Sequence, residues 1–190
     1  GNVGVREDGG FYPTDSNGNG AVIVNFKSIG SYTLELDGKR GYNAHTYFFE
    51  NQSMDKLAMR YCVVITGSGD TGKVYLLKTS NAYPAFNIAN MSDSEILAEA
   101  AWSGGNGNYK VRIEYDQSGF ICIYISYNGG EYVRIFEYED TAPLTYGTCG
   151  MQFQGNGGSV FRSAVVRQYQ CIPMAVSFDS YGNLNGRVSV

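Results

Sequence analysis

The sequence predicts an all-β protein in which two antiparallel sheets pack face to face. Short stretches rich in Val, Ile, Tyr and Phe alternate with clusters of Gly, Asn, Asp and Ser along the chain. The composition agrees, because Gly occurs 25 times and Tyr 16 times whereas Pro occurs only 4 times. About ten or more short strands, separated by regular turn signals, are typical of a sandwich or a barrel.

The first half of the chain contains five predicted strands. In residues 31–36 apolar and polar side chains alternate, which is typical of a strand with one wet face, and the alternation ends at Asp37-Gly38. The glycine-rich connection 67–72 predicts a hairpin between the last two strands. In chain order these strands are residues 21–26, 31–36, 46–50, 57–65 and 73–78.

Residues 92–102 fit two structures. Ser92 to Glu95 has the capping-box pattern and is followed by strong helix formers, so a helix of about ten residues can begin there. Residues 96–102 also place an apolar side chain at every second position, which fits a strand. We favour the strand.

The second half of the chain has the clearest pattern. Between residues 109 and 116, aromatic and aliphatic side chains alternate with charged ones. Residues 120–125 are apolar on both faces, which predicts a central strand covered on both sides. The turn Asn128-Gly129-Gly130 predicts a hairpin with the strand that follows. Further strands are predicted at 132–138, 147–153 and 159–166.

The chain shows no change of composition and no linker. We therefore expect a single β-sandwich domain over residues 1–190. Its core spans about 20–167, and residues 168–190 form a last strand and a tail.

Charge and hydropathy narrow the choice of partners. The net charge is -4, and no cluster of basic residues exceeds the pair Lys39-Arg40. A nucleic-acid partner is not expected, because such binding needs a basic surface. No apolar run reaches the ~18 to 20 residues that span a bilayer. The first four residues have no feature of an export signal, so the protein is either cytosolic or has lost its signal. The oligomeric state is left open.

The four cysteines are not arranged as a metal site. Cys62, Cys122, Cys149 and Cys171 contain no CxxC pair, and the single histidine, His45, cannot complete a zinc site with them. Cys62 and Cys122 lie within apolar strand-like runs. Buried thiols are therefore favoured over disulfides, and three pairings stay open.

Three segments within residues 20–167 match motifs of known domains. Residues 109–125 look like the segment Y-x-V-R-I-E-x … G … I-x-V-Y-V-D-G of the concanavalin A-like jelly-roll domains. Residues 140–150 are similar to the connection D-x-x-P-L-x-x-G-x-x-G that follows it. Residues 159–166 resemble their last core strand, with Arg162-Ser163 where Asp-Asn is usual. The groups that the pattern suggests are the laminin-G-like modules and the family 16 glycoside hydrolase-like domains of secreted bacterial proteins.

The resemblance implies a jelly-roll sandwich with a glycan or polysaccharide as partner, in a protein that is secreted, cell-surface or periplasmic. Fold alone does not settle activity, since lectins, glycosidases and adhesion domains share it. The E-x-D-x-x-E string of family 16 enzymes is missing, because Glu35-Leu-Asp37 continues as Gly38-Lys39-Arg40. No G-x-S-x-G elbow occurs either. We therefore expect a non-catalytic carbohydrate-binding or adhesion module. The alternatives are a divergent glycoside hydrolase of the same fold and a structural or protein–protein interaction domain.

Candidate binding residues are aromatic and planar polar side chains, which suit sugar rings and their hydroxyl groups. Trp102 stands before a glycine-rich loop, and residues 83–87 form another loop with aromatic residues. The alternative is that Trp102 and Phe86 plug the ends of the core and that His45 has an ordinary strand-end role. The candidates are Trp102, Tyr83, Phe86, Asn87, Arg60 and His45.

A calcium loop is a further candidate. Asp15, Asn17 and Asn19 occupy the ligand positions of the motif D-x-[DN]-x-[DN]-G, which residues 15–20 match. The twelfth position should hold a bidentate carboxylate, and here it is Phe26. A plain polar turn is therefore favoured, with calcium as the alternative.

Overall fold

The computed structural model describes residues 3–14, 17–41, 44–67, 69–82, 84, 88, 93–155, 158–169, 177–178 and 184–185. Within these ranges the chain is built from β-strands, with one short 3-10 turn at Gly69–Thr71. Among the described residues, no helix has the length and apolar character needed to cross a membrane.

The strands, numbered in chain order, are β1 Val3–Val5, β2 Phe11–Pro13, β3 Gly20–Val24, β4 Ser31–Arg40, β5 His45–Asn51, β6 Arg60–Thr66, β7 Lys73–Thr79, β8 Ser94–Ala101, β9 Gly107–Tyr115, β10 Phe120–Tyr127, β11 Val133–Glu139, β12 Thr148–Phe153, β13 Val160–Tyr169, β14 Ser177–Phe178 and β15 Leu184–Asn185. They form a seven-stranded sheet in the order β1-β2-β13-β4-β9-β10-β11 and a six-stranded sheet in the order β3-β12-β5-β6-β7-β8, while β14 pairs with β15. Every paired strand is antiparallel, so the predicted two-sheet antiparallel sandwich is confirmed.

The core lies between the two sheets. Successive side chains of a strand point to opposite faces, so every second residue of each strand enters the core. In β9, Tyr109, Val111, Ile113 and Tyr115 are buried, as the alternation predicts. Aromatic rings fill much of the space, and Phe49 stacks on Tyr61 with ring centroids 4.9 Å apart.

The prediction for β10 is wrong in one respect. Its inner residues Ile121, Ile123 and Ile125 are buried, but on the other face Phe120 is 41% exposed and Tyr124 is partly exposed. β10 lies next to the edge strand β11, and its outer face is only partly covered, since Cys122 and Ser126 are buried there while Phe120 and Tyr124 are not. The strands that are covered on both sides are β5 and β12, buried along their whole length, and β6, buried at all but its last residue.

β4 also differs from the prediction, because it continues past Asp37-Gly38 to Arg40. Gly38 lies inside the strand because there is no room for a side chain at this position. A Cβ atom there would lie 2.8 Å from the backbone oxygen of Val160 in β13, closer than such atoms approach. The register between β13 and β4 shifts at this point, between Phe161 and Ser163. Glycine therefore marks a close strand contact here and does not end the strand.

Three local predictions are confirmed. Residues 94–101 are a strand, β8, rather than a helix. β6 and β7 pair across residues 67–72, as the hairpin prediction requires. The turn between β10 and β11 has positive φ angles at Asn128 (51°) and Gly129 (80°), which are the angles of a type I′ hairpin.

The connection of residues 140–150, on which the family resemblance rests, fastens the two sheets together. The Asp140 carboxylate accepts hydrogen bonds from the Tyr61 hydroxyl, from Lys78 Nζ at 2.8 Å and from the backbone N–H of Ala142 at 2.9 Å. Burial would raise the pKa of Asp140, but the bonds from Lys78 and Tyr61 hold it below its usual value. A Cβ atom at Gly150 would lie 1.9 Å from the backbone oxygen of Val22. The motif is therefore structural.

The described cysteines are free thiols. Cys62, Cys122 and Cys149 are all buried, which confirms the expectation for these three. Burial raises the pKa of the Cys149 thiol to about 12. Cys171 lies outside the described residues.

Candidate functional site

His45 is buried within the core and does not reach the surface. It begins β5, is 0% exposed, and its ring lies edge-on to Tyr47 at 4.9 Å and to Tyr109 at 6.3 Å. Burial, together with the nearby charge of Arg40, lowers the pKa of His45 to about 3. The imidazole is therefore neutral at physiological pH. A solvent-borne ligand cannot contact it, which corrects its inclusion among the binding residues.

Arg60 is also buried, at 0% exposure, and its two terminal guanidinium nitrogens are hydrogen-bonded within the protein. It donates hydrogen bonds to the backbone oxygen of Ala58 at 2.9 Å and of Asn81 at 2.7 Å, and to Gln152 Oε1 at 3.0 Å. Its guanidinium carbon lies 6.0 Å from the ring centroid of Phe48. Arg60 thus has a structural role, and its inclusion as a ligand contact is corrected on the same ground.

Trp102 closes one end of the core. It is partly buried, packs against the core cluster, and its ring centroid lies 6.4 Å from those of Tyr109 and Tyr127. Its indole Nε1 donates a hydrogen bond to the Tyr109 hydroxyl at 3.3 Å. This position is the core-plugging alternative, and the residue is partly exposed there.

The remaining predicted residues are only partly described. Tyr83, Phe86 and Asn87 lie outside the described residues, as does Asp15. Asn19 uses its side-chain oxygen to accept a hydrogen bond from the backbone N–H of Gly155 at 3.2 Å, so this predicted calcium ligand is already engaged. Asn17 is exposed in the same turn. The aromatic-loop site and the calcium loop stay predictions.

The outer face of the six-stranded sheet is covered. Phe48, Cys62, Val64 and Leu77 form a second apolar cluster there, and all four are fully buried. Leu57 and Ile88 pack on this cluster from outside the sheet. The described part of this face is therefore covered over β5 and β6. Towards the edge strand β8 it is exposed, since Ile96, opposite Leu77, is 43% exposed and Lys73 forms an exposed ion pair with Glu99. We call this outer face the covered face.

The outer face of the seven-stranded sheet is open and polar, and we call it the open face. Strand pairing places its side chains in rows across β4, β9 and β10. Neighbouring rows are two residues apart along each strand, or about 7 Å. The rows are Asp37–Lys110–Ser126, Glu35–Arg112–Tyr124 and Thr33–Glu114–Cys122.

A cleft of about 380 Å³ opens at one end of the open face. Arg162 organises it by donating to Asp37 Oδ1 at 3.1 Å and to Asn108 Oδ1 at 2.8 Å. The side-chain oxygen of Asn128 accepts from the backbone N–H of Asn108 at 2.9 Å, which fixes the two hairpin ends together. We call this the Asp37 cleft. It is lined by Asp37, Asn108, Tyr109, Lys110, Ser126, Asn128, Gly129 and Arg162.

A cation held between two aromatic rings lies beside the Asp37 cleft, in the next row. The guanidinium carbon of Arg112 lies 4.4 Å from the ring centroid of Tyr124 and 4.6 Å from that of Tyr132. The Tyr132 hydroxyl donates to Glu35 Oε2 at 2.6 Å, and the Tyr124 hydroxyl donates to Glu114 Oε2 at 3.2 Å. We call Tyr124, Arg112 and Tyr132 the Tyr–Arg–Tyr stack.

The stack and the cleft together offer the two kinds of contact that a polyhydroxyl ligand needs. Burial, followed by the hydrogen bond to Glu35, raises the pKa of Tyr132, so its hydroxyl stays a neutral donor. The cleft supplies amides, an ammonium and a hydroxyl. Among the described residues that line it, Asp37 is the one carboxylate, and it is bound to Arg162. The cleft therefore has no pair of carboxylates for acid–base cleavage of a glycosidic bond.

The sequence pattern contained part of this site. Residues 109–116 clearly place Lys110 and Arg112 on the wet face of a strand. The register that sets Asp37 opposite Lys110 has no local signal in the sequence, because it joins residues far apart in the chain. Arg162 and Asn128 come from two further segments, so only the fold shows that these side chains meet.

Solved structures with the same fold include several lectins. The legume lectin-like domain of Entamoeba histolytica is 14% identical, with a TM-score of 0.63, and the match covers 90% of this chain and 88% of that one. The exoplasmic/lumenal domain of VIP36, in a form bound to Ca²⁺ and Man3GlcNAc, is 8% identical, with a TM-score of 0.64 and coverage of 90% and 82%.

A third structure is the metal-free form of lectin I-B4 from Griffonia simplicifolia. It is 10% identical, with a TM-score of 0.54, and the match covers 88% of this chain and 90% of that one. No family profile matches the sequence, and no curated protein matches it. At these identities the likeness is one of fold. The chain has the lectin-like jelly-roll fold of these structures.

Proposed function

We propose that this protein is a non-catalytic carbohydrate-binding module and that it binds glycan in the Asp37 cleft, beside the Tyr–Arg–Tyr stack. The observation that carries the proposal is the position of this polar cleft on the open face of the seven-stranded sheet. A sugar ring presents hydroxyl groups at its rim and C–H groups on its face. Planar polar side chains bind the former and aromatic rings pack on the latter.

The hydrogen-bonding groups of the cleft are held in place before a ligand arrives. Arg162 is fixed by Asp37 and Asn108, and Asn108 is fixed in turn by Asn128. Lys110 is exposed, and its ammonium has no ion-pair partner in the part of the chain that the structure describes. Groups that are ordered in advance lose less conformational entropy on binding, which favours a weak ligand such as a sugar.

The fold supports the same proposal. Proteins with this jelly-roll architecture include lectins, and the VIP36 domain was solved with a mannose-containing glycan. That domain is exoplasmic or lumenal, which supports a location outside the cytosol for this protein as well. We place it in an exported bacterial protein, following the sequence resemblance. Recovery of the native protein from the cytosolic fraction alone would contradict this location.

The test is a glycan array followed by calorimetry with the hits. Lys110→Ala and Arg162→Ala each remove a charged donor from the cleft, so each should weaken binding by about 10- to 100-fold. Both side chains are exposed, and a surface ion pair contributes roughly 0–1 kcal/mol to stability, so both variants should fold. Lys56→Ala, an exposed lysine outside the open face, is the matched control and should bind as the wild type does.

Two results would overturn the proposal. One is an array without any bound glycan at protein concentrations that reveal weak lectins. The other is binding that Lys110→Ala and Arg162→Ala leave unchanged, since the ligand would then lie outside the Asp37 cleft.

A further inference from the structure

The open face contains a second depression, of about 370 Å³, at its other end. Phe120 forms part of it and is 41% exposed, although the residues around it are mostly polar. Asp116, at its border, is fixed by accepting the backbone N–H of Ser118 at 2.8 Å. We call this the Phe120 depression. It is lined by Ser31, Tyr32, Thr33, Glu114, Tyr115, Asp116 and Phe120.

The two depressions lie along the same strands. Lys110 of the Asp37 cleft and Glu114 of the Phe120 depression are four residues apart on β9, on the same face, and so about 14 Å apart. β4 repeats the arrangement, with Asp37 at one end and Thr33 at the other. Arg112 is midway on β9, so the Tyr–Arg–Tyr stack lies between the two depressions.

From this alignment we infer that the ligand is a linear, uncharged glycan that runs along β9 from the Asp37 cleft, over the Tyr–Arg–Tyr stack, to the Phe120 depression. The inference rests on the proposed function and adds the class of ligand and a second subsite. Aromatic rings occur at the middle and at the far end of this path. A chain of sugar rings can therefore pack on both, whereas a single terminal sugar fills the Asp37 cleft alone.

The charges of the open face match a neutral ligand. Asp37 pairs with Arg162 at 3.1 Å and Arg112 lies 3.7 Å from Glu114, so these four charges offset one another. Outside these pairs the face carries Glu35, which accepts a hydrogen bond from Tyr132, and the exposed Lys39 and Lys110, so the remaining charges are of both signs. A polyanion would need several basic groups free of acidic partners, as nucleic-acid sites have. The pairing on this face thus favours an uncharged chain over a polyuronate or a nucleic acid.

The experiment measures affinity against chain length. Neutral linear oligosaccharides of one to six units are titrated into the wild type, Phe120→Ala and Ile96→Ala, with uronate oligomers of the same lengths as a second series. Ile96, on the edge strand β8, is 43% exposed and serves as a control of matched exposure. For the wild type, affinity for the neutral series should rise with length and then level off.

Phe120→Ala should bind the shortest ligands as the wild type does and should lose about tenfold in affinity for the longest, the effect of one lost ring contact. Ile96→Ala should match the wild type throughout. The inference is overturned if affinity does not depend on length, if Phe120→Ala binds long chains normally, or if uronate oligomers bind more tightly than neutral ones. If, in any of these cases, Lys110→Ala still weakens glycan binding, the proposed function remains and only the inference about the linear ligand fails. If no oligosaccharide of either series binds, the result counts against the proposed function itself.

Discussion

The outer faces of the two sheets differ in how far they are buried. On the covered face of the six-stranded sheet, Phe48 and Arg60 are 0% exposed, and residues from outside the sheet pack over this face. On the open face of the seven-stranded sheet, Phe120 is 41% exposed and Arg112 is partly exposed between two tyrosines. Each outer face thus contains a phenylalanine and an arginine. Their surroundings differ, and that difference underlies the proposed division between a face that stabilises the fold and a face that binds glycan.

The difference also explains which strands are buried on both sides. A sandwich needs only one buried face per sheet, and the open face meets that minimum. β5 and β6 are buried on both faces because Leu57 and Ile88 add a further layer over their outer side chains. Substitutions of the same type on the two faces should therefore differ widely in their effect on stability.

The largest difference is expected for phenylalanine. Phe48→Ala removes a fully buried ring and should lower the free energy of unfolding by about 3–5 kcal/mol, whereas Phe120→Ala should change it by less than about 1 kcal/mol. Urea denaturation of the two variants beside the wild type measures both values. Equal losses would mean that the open face is packed against something in solution, and the contrast between the faces would fail.

The fold was largely predictable from the sequence, because alternation in residues 109–115 and the turn at Asn128 act locally and agree with the final structure. The error at β10 arose from composition. Residues 120–125 are apolar enough for a doubly covered strand, but whether a second layer exists depends on segments elsewhere in the chain. The finer likeness to laminin-G-like modules and family 16 hydrolases stays a prediction.

The site was much less predictable than the fold. Aromatic residues near glycine-rich loops suggested Trp102, yet its indole is turned toward Tyr109 within the end of the core. His45 and Arg60 are polar residues that the fold buries, and no local pattern indicates this. The Asp37 cleft depends on register between strands and on Arg162 from the far end of the chain. Long-range pairing of this kind is what a single sequence leaves undetermined.

A second, smaller difference is expected for arginine. Arg60→Met keeps most of the apolar stem but leaves the acceptors of Ala58, Asn81 and Gln152 without their donor, so unfolding should become easier by about 3 kcal/mol. Arg112→Met should cost less than about 1 kcal/mol, because the loss is one partly exposed cation between two rings.

Calorimetry with a glycan then separates the two variants by function. Arg112→Met, although stable, should bind long chains more weakly, since the Tyr–Arg–Tyr stack loses its centre. Arg60→Met, studied well below its unfolding temperature, should bind as the wild type does. A reversal, with Arg60→Met defective in binding while folded, would move the site to the covered face.

The smallest effect comes from acid and concerns the interior that both faces share. If the open-face ion pairs add little to stability, then the loss of stability between pH 6.5 and pH 5 should come from His45. Its folded pKa of about 3 lies below its unfolded value of 6.5, so the unfolded chain binds a proton first as the pH falls. The contribution of neutral His45 to the free energy of unfolding is complete above pH 6.5 and declines by about 1.4 kcal/mol for each pH unit below it, or about 2 kcal/mol at pH 5.

His45→Leu should remove this pH dependence of the free energy of unfolding. The substitution breaks no hydrogen bond among the described residues, since neither ring nitrogen has a partner there. Urea denaturation of both proteins from pH 7.5 to pH 5 measures the difference, and parallel curves would show that acid acts on the carboxylates of the open face instead.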